Sequence, residues 1–226
     1  MQSIYHRDLS MGLEGKYFEV VERLQPKSTI LEIGCNTGYF SLVLMKCGHE
    51  VLGIELDKDA AQIASSNGVN VICGNIEENL MIKSINQKFD VILMMDVVEH
   101  CLHPMNVLNS LQQLIKPNGK IMITGPNVAY WSVRKDLLLG RWNYTDSGIL
   151  DKTHLHFYTL STWQSLIEDS GYKINVIKAA EGMIPFQTKL LKAGIPNRLI
   201  KFLLNLAMRN MPNIFTIVFF IEAIPE

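Results

Sequence analysis

The chain has 226 residues, 48% of them apolar, and a formal net charge of −1. That length can bury one sizeable α/β core and is short for two, and the balanced charge excludes a global positive field that would draw in nucleic acid. The start, MQSIYHRDLSMGLEG, lacks the apolar core of a signal peptide, residues 214–221 with their flanks are too short to span a membrane, and Cys35, Cys47, Cys73 and Cys101 form no CxxC pair, so a cytoplasmic protein with reduced core thiols is expected.

In chain order, residues 14–24 read as an amphipathic helix with Tyr17, Val20, Val21 and Leu24 on one face, closed by Pro26. Residues 29–33 form a short apolar strand, 39–47 a helix stopped by Gly48, 51–55 a second strand, and 57–66 a helix that Asp57 can cap. Residues 69–73 and 89–95 give strands three and four, 104–115 a helix with proline in its first turn, and KPNGKIMIT a turn followed by strand five. After Gly125 the periodicity breaks over 126–160; helix (161–170) and strand (173–178) then resume, followed by a long apolar helical region (185–210) and a last strand, 214–222. Strands that are apolar on both faces and alternate with helices predict a parallel sheet covered on both sides. We therefore expect an α/β fold with a Rossmann-like, seven-stranded, mostly parallel sheet, an antiparallel last strand and an insertion after strand five. The expected organisation is a single domain over 1–226: an N-terminal helical arm (1–27), a cofactor-binding core (28–125), an acceptor-side insertion (126–160) and C-terminal helices and strands (161–226).

TILEIGCNTGYF, residues 29–40, carries the first functional signal. Gly34 can adopt backbone shapes that other residues avoid and lets a ligand approach the main chain. The helix that follows offers free N–H groups to a carboxylate or phosphate. Glu55, at the end of strand two, is the natural acceptor for a pair of ribose hydroxyls, and on this much a dinucleotide and S-adenosylmethionine compete. The dinucleotide fingerprint wants a middle glycine where this chain has Asn36, and a third glycine in the register of Tyr39.

The series ILEIGCNTG, VLGIELD, CGNIEE, FDVILMMDVVEH and LIKPNGKIMIT resembles the class I S-adenosylmethionine-dependent methyltransferases over about residues 28–125, and within them the ubiquinone-biosynthesis-like O-methyltransferase branch. The segment GILDKTHLHFYTLSTWQSLIEDSGYKI is similar to the acceptor side of methyltransferases near polysaccharide and lipid-carrier pathways. The resemblance implies S-adenosylmethionine as cofactor. It places Glu32, Gly34, Cys35 and Gly38 at the methionine end, with Asn36 in the same loop where the family usually has Gly. It places Glu55 on the ribose, Leu56, Asn75 and Ile76 around the adenine (Asn75 where Asp is frequent), and Asp96 and Val97 at the sulfonium end. It implies O-methylation of a small molecule such as a glycan, a lipid-linked precursor or a quinone-type phenol. A non-catalytic cofactor-binding module and an NAD-linked reductase are the competing classes.

An alcohol acceptor needs a base, and histidine is the usual one near neutral pH. His100 follows strand four at the mouth of the expected cleft. His154 and His156 alternate in DKTHLHFYT, so an extended backbone turns both to one side, with Asp151 near enough in sequence to orient one imidazole. His154 is the expected base with His156 second, and His100 is expected to contact the cofactor or acceptor directly. His6 and His49 are expected to be solvated, and His103 to cap or solvate the helix start. No histidine–cysteine spacing matches a metal set, so no metal is expected. Tyr130, Trp131, Trp142 and Tyr144 fall in the insertion and are expected to cluster there. In NRLIKFLLNLAMRN the polar positions Arg198, Lys201, Asn205 and Arg209 occupy one narrow arc, leaving an apolar face wider than a lone surface helix needs. Internal burial, a homodimer contact, or a peripheral membrane surface or lipid-linked acceptor would each account for it.

Overall fold

A computed structural model describes residues 13–226, so His6 lies outside the described residues. The seven strands are β1 (Thr29–Ile33), β2 (Glu50–Glu55), β3 (Asn70–Cys73), β4 (Phe89–Met95), β5 (Ile115–Pro126), β6 (Tyr172–Gly182) and β7 (Thr216–Pro225). They form one sheet in the order β3-β2-β1-β4-β5-β7-β6. The β1–β2, β1–β4, β2–β3 and β4–β5 pairs are parallel, and β7 runs antiparallel to both β5 and β6. The expected sheet, including its reversed last strand, is the observed one.

Helices cover both faces. On one face α1 (Gly15–Val21) and α2 (Tyr39–Lys46) pack Tyr17, Val20, Phe40 and Leu44 against Ile30, Val91, Leu93 and Met122. On the other, α5 (Pro104–Leu111) and α7 (Leu160–Asp169) bury Val107, Leu108, Leu111, Trp163 and Ile167 against Leu31, Ile92, Ile121 and Phe219. At the β2–β3 side lies α3 (Lys58–Ser66), which Asp57 caps by accepting the Ala60 N–H at 2.9 Å, and α4 (Asn79–Ser84) sends Ile82 into the same cluster as α5. The remaining helices are α6 (Trp131–Leu138), α8 (Gln187–Lys192), α9 (Asn197–Asn210) and α10 (Pro212–Phe215).

Several expectations are corrected. The first helix among the described residues is shorter than expected, Gly15–Val21. The helix expected over 104–115 ends at Leu111 and passes through a 3-10 turn, Gln112–Leu114. Residues 126–160 are not irregular throughout, since α6 lies within them. The apolar region 185–210 is two helices, broken where Gly194 takes a φ of +81° ahead of Pro196. Cys47 and Cys73 are exposed, and only Cys35 and Cys101 are buried thiols. His49 is not simply solvated: its Nδ1 accepts the Ser28 N–H at 3.2 Å. His103 sits at the start of α5 without a side-chain capping bond. Internal burial does not account for α9, because only Ile200 is buried while Leu199, Phe202, Leu203 and Leu206 are exposed. Among the described residues no helix is long and apolar enough to cross a membrane.

The base of the insertion is anchored by one close contact. A Cβ on Gly125 would lie 2.1 Å from Trp163 Cζ2, so only glycine lets that fully buried indole lie flat on β5. The Trp163 Nε1–H donates to the Pro126 carbonyl at 3.1 Å, and the Tyr158 ring packs 4.2 Å from the indole.

Candidate active site

Strand order turns β1 into a switch point: the chain moves outward through β2 and β3, then returns to the other side of β1 as β4. In such sheets ligands bind beyond the carboxyl ends of the strands, at the point where the order reverses. Glu55, Gly34, Asp96 and Asn75 all stand at or just past those ends.

The β1 loop is a tight turn. The Gly34 and Cys35 N–H groups both donate to the Ile54 carbonyl, at 2.8 and 3.2 Å. Gly34, Asn36 and Gly38 have φ of +73°, +52° and +77°. A Cβ on Gly34 would lie 2.6 Å from Val97 Cγ2, and one on Gly38 would lie 2.7 Å from Val69 Cγ2. The first glycine thus lets the β1 loop touch the loop after β4, and the second seats α2 beside α3 and β3. The Cys35 thiol points down, not outward: it is buried over Gly53, where a Cβ would meet its sulfur at 2.6 Å. Burial pushes its pKa up. Cys35 can offer a ligand only its main chain.

Two acids flank this loop. Glu32 is buried and accepts a hydrogen bond from Ser41; burial raises its carboxyl to about 7, with the Glu55 charge adding to the effect. Glu55 accepts the Asn36 N–H at 2.7 Å on one oxygen and the Asp57 N–H at 2.9 Å on the other. Those bonds hold its carboxylate at the strand end. Asn75 Oδ1 accepts the Glu77 N–H at 3.0 Å, which commits that oxygen to the turn. Ile76 is buried beneath, whereas Leu56 is 66% exposed. A large apolar side chain standing free beside a ribose-type acceptor is what an adenine ring would cover. The glycine cradle, the paired acids and this exposed leucine fit an adenosyl ligand bearing a methionine.

At the end of β4, Asp96 takes a φ of +54° and is held on three sides. Its N–H donates to the Thr124 carbonyl at 3.0 Å, Thr124 Oγ1 donates to Oδ1 at 3.0 Å, and the Lys16 ammonium pairs with Oδ2. Lys16 is 3% exposed. Burial lowers its pKa, but the charge and hydrogen bond of Asp96 together with Tyr17 and Glu181 outweigh that, and the net direction is up.

The next turn brings the expected histidines together. A 3-10 turn, Val98–His100, carries Glu99 into the interior, and the Glu99 carbonyl accepts the N–H groups of Leu155 (2.9 Å) and His156 (3.2 Å). Insertion and strand-four loop are thereby tied. The His100 and His154 rings meet edge to face with centroids 4.7 Å apart. His154 Nδ1 lies 3.1 Å from the Ile149 carbonyl, and its Nε2 lies 4.0 Å from Glu99 Oε1. Burial, then the neighbouring His100, lowers the His154 pKa. Asp151 accepts from the N–H (2.8 Å) and Oγ1 (2.7 Å) of Thr153, and its charge acts on the His154 imidazole to raise its pKa against the effect of burial. His156 turns away to stack on Tyr158, with centroids 6.0 Å apart. The aromatics divide into two groups, Tyr130 with Trp131 (5.6 Å) and Trp142 and Tyr144 about Phe157 (5.3 and 6.3 Å).

Two groups at this site carry no signal in the sequence. Lys16 reaches Asp96 across 80 residues, and nothing local marks it. Glu99 adjoins His100 in the chain, but only the fold shows it fully buried.

A methyltransferase domain family matches residues 5–176. The ubiquinone biosynthesis O-methyltransferase of Coxiella burnetii is 30% identical over 118 residues, covering 50% of this chain and 49% of that one. The chain thus spans about half the length of the curated relatives it matches. A SAM-dependent methyltransferase from Archaeoglobus fulgidus superimposes with a TM-score of 0.65 at 17% identity, covering 92% of this chain and 90% of that one. SAM-dependent methyltransferases from Methanosarcina mazei give a TM-score of 0.61 at 16% identity, with 95% and 100% covered. At these identities the two structures speak for the fold.

Proposed function

The chain belongs to the S-adenosylmethionine-dependent methyltransferase family, and from that premise we propose that it methylates an oxygen of a small-molecule acceptor at the mouth between the β1 and β4 loops. Membership decides for this cofactor over a nicotinamide dinucleotide, and for an enzyme over a non-catalytic module. When bound, S-adenosylmethionine supplies a methyl group carried on a positively charged sulfur. In our reading Glu32, Gly34, Cys35 (by its main chain), Asn36 and Gly38 hold the methionine end. Glu55 takes the ribose hydroxyls, Leu56, Asn75 and Ile76 enclose the adenine, and Asp96 and Val97 flank the reacting end. Placement of the two reactants supplies much of the acceleration in such a displacement.

The observation that carries oxygen as the acceptor atom is the group formed by the buried Glu99 and the half-buried His100 and His154 beside Asp96. An alcohol or phenol must shed its proton near the transition state. His154 has the geometry for this, its Nδ1 held by the Ile149 carbonyl and its Nε2 turned inward. His156 supports the group from behind through its main-chain bond to Glu99. The test is transfer of labelled methyl from S-adenosylmethionine to a panel of phenols, glycosides, polyprenyl-linked sugars and amines. Labelled oxygen acceptors support the reading; transfer to amines alone defeats it.

A second reading concerns how the acceptor is presented. The exposed Leu199, Phe202, Leu203 and Leu206 share α9 with Arg198, Lys201 and Arg209, a combination suited to an anionic lipid surface carrying a lipid-linked acceptor. A homodimer contact through the same face would appear as a concentration-dependent sedimentation coefficient.

A further inference from the structure

Glu99 is 0% exposed, and neither of its carboxylate oxygens has a hydrogen-bond partner among the described residues. Buried polar groups are satisfied almost without exception, and a buried charge is paired or bound to a metal. The gap of 4.0 Å between Glu99 Oε1 and His154 Nε2 is too long for a hydrogen bond. It is close to the separation of two ligands on one ion, since bonds of about 2.1 Å put ligand atoms roughly 3 to 4 Å apart.

His100 completes the set. One ligand atom from each of Glu99, His100 and His154 lies within 4.8 Å of those of the other two. Each imidazole is steered through its other nitrogen. His154 Nδ1 faces the Ile149 carbonyl at 3.1 Å, and His100 Nδ1 faces the Thr153 carbonyl at 3.2 Å and Thr153 Oγ1 at 3.1 Å. An Nδ1–H given to a carbonyl leaves the Nε2 lone pair for a cation, which is how metal-bound histidines are commonly oriented.

We propose that Glu99, His100 and His154 form a binding site for a divalent first-row transition cation at the mouth of the cleft. Two imidazoles and one carboxylate suit zinc, iron, cobalt or manganese better than calcium or magnesium. Three protein ligands leave coordination positions open. Once in place, the ion draws in the acceptor hydroxyl and lowers its pKa, and the His154 nitrogen read above as the base is then occupied as a ligand, so the ion takes over the easing of proton loss. That role rests on the oxygen-acceptor reading above; the binding site itself does not. The spacing of these residues gave no hint of it, because two ligands are chain neighbours and the third comes from the insertion.

The experiment uses the untagged full chain, stripped with a chelator, dialysed and titrated with Co(II) while its visible absorption is followed. The expected result is a one-to-one complex with a ligand-field band, weakened at least tenfold in Glu99→Gln, His154→Ala and His100→Ala. Since Glu99 is buried, circular dichroism and S-adenosylhomocysteine binding check that each variant folds, and the partly exposed His100 supplies a variant whose folding is least at risk. Absence of Co(II) binding, or binding that all three substitutions leave unchanged, overturns the site. Methyl transfer to phenols that persists after chelation would overturn the ion's role while leaving oxygen methylation intact. Co(II) bound by these residues in an enzyme that methylates only amines would keep the site and defeat the acceptor reading.

Discussion

If Glu32 receives the ammonium of the cofactor's methionine end, binding must depend on pH in a calculable way. In the free protein burial raises this carboxyl from 4.5 to about 7; Glu55 adds to the effect, Ser41 opposes it, and Cys35 and Tyr39 are the other titratable groups that feel its charge. Below about pH 7 the free site is therefore mainly protonated, and binding a cation there requires that proton to leave. Each pH unit below 7 should then weaken binding about tenfold, or ~1.4 kcal/mol. Between pH 7.5 and pH 5 the dissociation constant for S-adenosylhomocysteine should rise by roughly two orders of magnitude. Calorimetry in buffers of different ionisation enthalpy should show close to one proton released per ligand near pH 5.5. Glu32→Gln should bind more weakly at pH 7.5 and lose the pH slope. Stability of the free protein moves in the corresponding sense. Glu32 ionises in the unfolded chain above 4.5 but in the folded one only above about 7, so it contributes a loss of ~3 kcal/mol as pH rises across that window. A dissociation constant that stays level from pH 5 to 7.5, or a slope that survives in Glu32→Gln, would refute this role.

Three further outcomes are expected. Gly34→Ala combines a φ of +73° with a Cβ 2.6 Å from Val97 Cγ2, and should cost ~1–3 kcal/mol in chemical denaturation and at least tenfold in cofactor affinity. His154→Ala should lower kcat by a factor of about 10²–10⁴ with an oxygen acceptor, while S-adenosylhomocysteine affinity in calorimetry stays within about twofold. Phe202→Glu with Leu206→Glu should abolish co-sedimentation with phosphatidylserine vesicles and leave methylation of a soluble phenol unchanged.

Elements bounded by strong local signals were legible. The β4 boundaries follow from an apolar run closed by Asp96, and both faces of that strand are buried, as such a run requires. The short α4 went unseen because NLMIKS is only six residues long and has no capping side chain, so its pattern is too brief to read. The break between α8 and α9 was legible in principle, since AGIP contains both a left-handed glycine and a proline. For the site, the strand-end residues were readable because each belongs to a local motif. Glu99 and Lys16 were not, because their significance comes from burial and from partners far along the chain. The neighbours that hold these two groups were equally hidden: Thr153 donates to the Asp151 carboxylate, and the Ile149 carbonyl faces the His154 imidazole.

The central claim is that the β1 loop, together with the carboxylate ending β2, holds the adenosyl cofactor. Titration calorimetry of S-adenosylhomocysteine into the native chain and into Glu55→Ala tests it most directly. We predict one site per chain and an affinity at least tenfold weaker in the variant, whereas equal affinity in the two proteins would contradict the account.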